Sequence, residues 1–242
     1  MLPPTPVVTV PAGAHERIHP ETSPGARIPL PPEELMLLVG SPHAFNFELV
    51  AKIWAELLLP RLSPGCRVLD VGAGSGRIAR VLAEAGDISS YVGVDVVAEA
   101  VLWCERYVTP ATGGRFRFVH LDVRNGTYHP EGRTPGTELR LPLPDRSVDL
   151  VVAASLFTHL LEPDAARMLE EMSRVLVRGG RAVVSVMTET TPLVPFHGNE
   201  FRIDVFLPHF EALASRSALV LREELGSHGG EQVLVFESVR VK

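Results

Sequence analysis

Four aspartates mark the ends of short apolar runs about one βα unit apart: Asp70, Asp95, Asp122 and Asp149, at spacings of 25, 27 and 27 residues. Between them the chain alternates strand-like and helix-like patterns. Arg67–Val71, Tyr91–Asp95, Phe116–His120, Asp149–Ala154 and Arg181–Val186 read as strands. Gly76–Ala85, Val97–Tyr107 and Asp164–Leu176 read as the helices that link them. Continuous apolar strands alternating with helices predict a parallel sheet covered on both faces, a doubly wound, three-layer α/β/α fold. After a further helix over Val205–Ser217, the runs Leu219–Glu224 and Gln232–Val239 flank a glycine-rich turn, which predicts a hairpin adding an antiparallel edge.

The first 32 residues hold nine of the 21 prolines and show no apolar period, so residues 1–32 are expected to be an extended, partly disordered arm. Residues 33–62 are expected to form a helical lid, with a short helix at Pro32–Leu38, a break at Gly40-Ser41-Pro42, and a longer helix from Ala44 to Leu59. The apolar residues Phe45, Leu49, Ile53, Trp54 and Leu57 suggest the inner face of that helix. Residues 63–242 would be the main domain.

A net charge of −6 with scattered basic residues argues against a nucleic-acid backbone as the main partner, though acidity does not exclude an RNA enzyme with a local basic patch. No apolar run is long enough to span a bilayer, and the N-terminus lacks a secretory pattern. A cytoplasmic protein without a membrane partner is expected. Cys66 and Cys104 sit in apolar segments and read as buried side chains. No His, Cys or acidic spacing forces a metal site.

In an open α/β sheet, ligands bind beyond the carboxyl ends of the strands near the switch in strand order. Asp70, Asp95 and Asp122 would line that crevice, whereas Asp149 opens its strand away from it and is expected to pair or cap. The loop Gly72-Ala73-Gly74-Ser75-Gly76 follows Asp70 directly. Its spacing is not the GxGxxG of dinucleotide folds, and no P-loop lysine follows. A carboxylate ahead of the loop repels pyrophosphate but suits an ammonium group. Asp95, 19 residues beyond Gly76, is placed to accept both hydroxyls of a ribose, with Val96 beside it. Asp122 and the Val123 N–H are placed for an adenine edge. These residues fit an adenosine with an amino-acid tail and no phosphate.

The segment Val68-Leu69-Asp70-Val71-Gly72-Ala73-Gly74-Ser75-Gly76-Arg77 resembles motif I of the class I S-adenosylmethionine-dependent methyltransferases. Tyr91–Asp95, Leu143–Asp149 and Val175–Arg181 are similar to their later motifs, and the likeness spans roughly residues 45–240. It implies seven strands with the last antiparallel, and S-adenosylmethionine as cofactor. Cofactor contacts are then expected at Asp70, Gly72, Ala73, Gly74, Gly76, Asp95, Val96, Asp122 and Val123, with Ala154 and Ser155 beneath the transferred methyl. Trp103-Cys104, Asp122–Gly132 and Ser155–Leu160 resemble a bacterial subgroup acting on small molecules, although His129 replaces the usual asparagine of that subgroup's Tyr-Asn-Pro.

Methyl transfer from a sulfonium rests on alignment, and a base matters chiefly for a hydroxyl acceptor. His159, just beyond the fourth strand, and His43, on the lid, are the candidate bases. His129 is expected on the surface, and His197 near the acceptor. Phe45, Trp54 and Phe157 are expected to shape the acceptor pocket. The Asn/Asp-Pro-Pro-Tyr/Phe motif of amide and base methylation is absent: the chain reads Ala153-Ala154-Ser155-Leu156 there. A hydroxyl acceptor is therefore preferred, with amine or carbon acceptors open, on a monomer or homodimer. Two other readings compete. A nicotinamide oxidoreductase would need a GxGxxG loop and a Tyr-Lys or Cys-His pair; the only two lysines, Lys52 and Lys242, lie in no site. A non-catalytic cofactor-binding protein or subunit would show the same loop and no turnover.

Overall fold

The computed structural model describes residues 24–41, 43–189 and 194–240. Short helix α1 (Glu33–Leu37) and helix α2 (Ala44–Leu58) precede an alternating core. That core comprises β1 (Cys66–Val71), α3 (Arg77–Ala85), β2 (Ile88–Asp95), α4 (Ala98–Ala111), β3 (Phe116–His120), β4 (Val148–Ala153), α5 (Glu162–Val175) and β5 (Leu176–Glu189). It is followed by β6 (Phe196–Asn199), β7 (Arg202–Phe206), α6 (Leu207–Arg216), β8 (Leu219–His228) and β9 (Glu231–Ser238).

Strands β3, β2, β1, β4 and β5 pair in that order, all parallel. The order reverses between β1 and β4, which opens a crevice at their carboxyl ends. Along Arg181–Val186, β5 pairs antiparallel with β9, and β9 with β8, so the expected hairpin closes the sheet with its antiparallel strand. The sheet has nine strands rather than seven. β5 runs on past the body of the sheet, and its end, Met187–Glu189, pairs with β7, which pairs with β6. The extra hairpin had a period-two signal: Ile203 and Val205 are buried while Arg202 and Asp204 are not. The sequence reading instead began the helix at Val205.

Successive strand residues feed two cores, one on each face. Leu69, Val71, Val92, Val94, Val151 and Ala153 pack toward α5 and α6, while Val68, Tyr91, Leu150 and Val152 pack toward α2, α3 and α4. Gly93 is required inside β2, because a Cβ there would lie 2.6 Å from the Phe118 ring. Helix α2 buries Phe47, Ala51, Trp54, Ala55 and Leu58. Phe45 and Leu49 are 73% and 45% exposed, so the expected inner face was rotated. Both stripes follow the helical period, and the core selected the one carrying small alanines, which allow α2 and α3 to approach closely.

Candidate active site

The β1 end lies at the switch in strand order, where a buried carboxylate meets a glycine loop. Asp70 is 1% exposed. Its Oδ2 accepts from the Tyr91 hydroxyl, whereas Oδ1, buried, has no hydrogen-bond partner among the described residues. Burial pushes this carboxyl up to about 7, Tyr91 opposing and Asp95 reinforcing the shift. A fully buried carboxylate oxygen without a partner is costly, and a cation placed there would offset that cost. Beside it, Gly72, Gly74 and Gly76 all have φ between +53° and +77°, the left-handed region that glycine adopts without strain. At Gly76 a Cβ would also sit 2.9 Å from the Cys104 sulfur.

Asp95 ends β2 across the crevice. Its Oδ2 accepts from Gly74 N–H at 2.7 Å and its Oδ1 from Val97 N–H at 2.8 Å. A carboxylate has about four acceptor positions, so each oxygen retains one. Burial raises its pKa against these backbone donors. Val96 is half-buried, and its carbonyl lies 3.0 Å from His120 Nε2.

Residues 33–41 form a strap over the glycine loop. Ser75 Oγ donates to the Leu35 carbonyl at 3.1 Å, and buried Arg77 donates to the Val39 carbonyl at 2.8 Å and to Ser41 Oγ at 3.2 Å. The Val39 side chain lies where a Cβ on Gly74 would point. Burial lowers the Arg77 pKa, and the nearby carboxylates of Asp70 and Glu231 counter it. The arginine was legible only as part of the motif; its partners lie about 36–38 residues upstream.

Asp122 faces its own loop. The Arg133 guanidinium and N–H and His129 Nε2, the last at 3.0 Å, all bond its carboxylate and hold it down at about 2. His129, expected on the surface, is thus half-buried against Asp122 and His120. Val123 pairs with Thr134 in the same loop. Asp149, as expected, is structural: Arg67 grips it with two guanidinium bonds of 2.8 and 2.9 Å and with its backbone N–H.

The β4 end is strained. Ser155 has φ +55°, unusual for a residue with a Cβ and worth roughly 1–3 kcal/mol, the kind of outlier found where a site over-determines the backbone. Three contacts hold it. Its N–H donates to Ser185 Oγ at 2.7 Å, its hydroxyl to Glu231 at 3.0 Å, and its carbonyl accepts from the Thr158 hydroxyl at 2.7 Å. Ser185 also donates to Glu231, at 2.5 Å. Ala154 beside it is half-buried, and the Leu156 side chain packs against Gly72.

His159 follows, half-buried. Its Nδ1 lies 3.0 Å from the Glu200 carbonyl and its Nε2 3.3 Å from the Tyr128 hydroxyl. Asn125 donates to the His159 carbonyl at 3.0 Å while its own side-chain oxygen accepts from Thr127 and Tyr128 N–H. Sequence reasoning passed over Asn125, Tyr128 and Glu231; only the turn-like Asn125-Gly126 hinted at the first two. The other candidates lie apart. His43 is exposed at the start of α2 and makes no capping bond, and His197 is exposed on β6. Trp54 is core, Phe157 is fully buried against Phe210, and Phe45 points to solvent. Among the described residues no group of three His, Cys, Asp or Glu could hold a metal ion, and no helix is long and apolar enough to cross a membrane.

Residues 69–184 match the model of the methyltransferase domain family. The chain is 34% identical over 130 residues to an arsenite methyltransferase of Aquipseudomonas alcaligenes, covering 53% of this chain and 35% of that one. It is 30% identical over 179 residues to a ubiquinone/menaquinone biosynthesis C-methyltransferase of Stenotrophomonas maltophilia, covering 72% and 64%. The match thus spans less than two thirds of either relative. In fold it is similar to a methyltransferase structure from Aquifex aeolicus, with a TM-score of 0.60 at 18% identity, over 87% of this chain and all of that one. The matched domain, the order of its motifs and the fold place residues 69–184 in the class I S-adenosylmethionine-dependent methyltransferases, with S-adenosylmethionine as the cofactor they imply.

Proposed function

We propose that the protein is an enzyme that transfers the methyl group of S-adenosylmethionine to a hydroxyl on a small molecule. The observation that carries this reading is Asp70: a buried carboxylate oxygen without a partner, at the foot of a glycine loop and at the switch in strand order. When bound, S-adenosylmethionine supplies an electrophilic methyl group on a sulfonium. Asp70 with Gly72, Ala73, Gly74 and Gly76 holds the amino-acid end, and the ammonium group supplies the bond that Oδ1 lacks. Asp95 takes the ribose hydroxyls, with Val96 alongside. Asp122, anchored by Arg133 and His129, and Val123 flank the adenine. Ala154 and Ser155 form the floor beneath the methyl, and the strap over residues 33–41 acts as the lid. His159 is the base for the acceptor, favoured over His43 by its fixed ring and its place beside the β4 end.

The net charge of −6 supports a small-molecule acceptor over a nucleic acid, and two buried, unpaired cysteines support a reducing, cytoplasmic setting. Calorimetric titration with S-adenosylhomocysteine beside NAD tests the cofactor. Micromolar binding of the former alone is expected, and its absence would overturn the reading. A non-catalytic binder would bind equally well but release no S-adenosylhomocysteine from S-adenosylmethionine with any acceptor.

A further inference from the structure

Three segments far apart in sequence meet at His159. Residues 125–128, 159 and 200 are tied by the Asn125 amide, the Tyr128 hydroxyl, the Glu200 carbonyl and the Gly126 N–H, which donates to Glu200 Oε1 at 2.9 Å. A backbone carbonyl can only accept, so the bond to Glu200 puts the ring proton on Nδ1. In the neutral ring Nε2 is then the lone pair, and the hydroxyl facing it at 3.3 Å belongs to Tyr128. The Tyr128 ring stands edge-on to the imidazole, centroids 4.9 Å apart. An acceptor proton therefore finds Nε2 already covered.

We propose that Tyr128 is the side chain that meets the acceptor hydroxyl and that it hands the proton on to His159, a refinement that rests on the methyl-transfer reading above. Burial, with Asp95 and Glu231 adding to it, keeps the Tyr128 phenol protonated, as a relay needs. Glu231 is the carboxylate bonded to Ser155 and Ser185. Glu200 faces His159 through its carbonyl and spends Oε1 on Gly126.

The step balances. As the acceptor oxygen takes the methyl, its O–C bond forms and the methyl–sulfur bond breaks with its electron pair going to sulfur. The acceptor proton passes to the Tyr128 oxygen while the Tyr128 proton passes to His159 Nε2. One positive charge leaves sulfur and one appears on the imidazolium, so Asp95, Glu231 and Asp70 surround the same net charge throughout. Water removes the proton from His159 afterwards. The class of acceptor follows: an alcohol or phenol, whose proton must leave, and not a thioether or an unprotonated amine attacking without a base.

The test needs no acceptor at first. Nitrogen-15 NMR of the full chain with S-adenosylhomocysteine bound should show neutral His159 protonated on Nδ1. In Tyr128→Phe the Nε2 resonance should shift as its hydrogen-bond donor is lost, with cofactor affinity unchanged. A proton on Nε2, or an Nε2 resonance that does not move, overturns the relay. Release of S-adenosylhomocysteine is then followed with catechol, phenol and 1-octanol, beside octylamine. Turnover of a hydroxyl compound is expected, lowered about a hundredfold or more by Tyr128→Phe and by His159→Gln, and no further by the pair. Release from octylamine alone, from none of the four, or undiminished in Tyr128→Phe overturns the relay. If the wild type fails to bind S-adenosylhomocysteine, the cofactor reading falls and the relay with it; binding with the wrong tautomer removes the relay alone.

Discussion

The two halves of the crevice are made in different ways. On the β1–β2 side, Asp70, Gly72, Gly74, Gly76 and Asp95 fall within one short stretch of chain, and strand order with backbone hydrogen bonds suffices to assemble them. On the β4–β5 side the bonded partners are distant: Tyr128 and His159 are 31 residues apart, His159 and Glu200 41, Ser155 and Glu231 76. On the proposed function, the fold itself supplies the cofactor half, and the acceptor half is assembled on top of it by groups from loops and from the β6–β7 and β8–β9 hairpins. Such a division lets one fold keep its cofactor while its acceptor changes.

If the division holds, a cut in the acceptor half should leave the cofactor half standing. Asn125 is 7% exposed and makes three hydrogen bonds with its side chain. Asn125→Ala should lower unfolding free energy by about 3 kcal/mol, at roughly 1 kcal/mol per bond, in a denaturant titration. The dissociation constant for S-adenosylhomocysteine should not change. A parallel loss of affinity would show that the halves are coupled and break the comparison.

The reverse cut is Asp95→Ala. It removes the proposed ribose acceptor and should weaken S-adenosylhomocysteine binding at least about tenfold, since charge-assisted bonds are worth about 1.5–3 kcal/mol each before compensation. The Val97 N–H loses its acceptor as well, which should cost roughly 1 kcal/mol of stability. The tautomer of His159 should be untouched. An unchanged dissociation constant would remove the ribose assignment.

The same contrast explains what was legible. Strands β1 to β5, their order of use and the glycine loop could be read because each is written locally: apolar runs, a glycine where φ is positive, an aspartate at the strand end. Asp149 could be set aside because its position in the strand put it at the other end. Of the β6–β7 hairpin only β7 carried an alternating signal; β6 could not be read, because His197-Gly198-Asn199 is exposed and the strand is ordered by pairing with β7, which pairs with the far end of β5. Tyr128 lay in a segment read only for its likeness to a subgroup. Nothing near it in sequence says that Asn125 folds the turn back onto a residue 34 positions on. Asp122 lies after β3 as expected, and the partners that anchor its carboxylate, Arg133 and His129, could not be read from its place in the strand rhythm.

A pH titration sharpens the cofactor half further. Burial raises the Asp70 carboxyl to about 7, above its unfolded value. Its contribution to stability is therefore fully present below the unfolded value near pH 4 and is lost as pH rises through 7. Ligand binding runs the opposite way, because an ammonium group requires the carboxylate. Between pH 6.5 and 8 the ionised fraction grows from about one quarter to about nine tenths. Affinity for S-adenosylhomocysteine should rise about fourfold over that range and become flat in Asp70→Asn. A flat wild-type profile would separate Asp70 from the ammonium group.

The smallest effect tests where the acceptor half ends. Phe45 and Leu49 lie on the outer stripe of α2, and Phe45 is 73% exposed. Lone apolar side chains on a surface contribute little, so Phe45→Ala should change unfolding free energy by less than about 0.5 kcal/mol. The dissociation constant for S-adenosylhomocysteine should not move, because the Phe45 ring points to solvent. A larger loss of stability would mean that the ring is covered in solution. A change in the Michaelis constant for a hydroxyl acceptor, with stability held, would instead extend the acceptor half onto α2. Of the two stripes on that helix, the outer one would then belong to the site and the inner one, with Phe47 and Trp54, to the core.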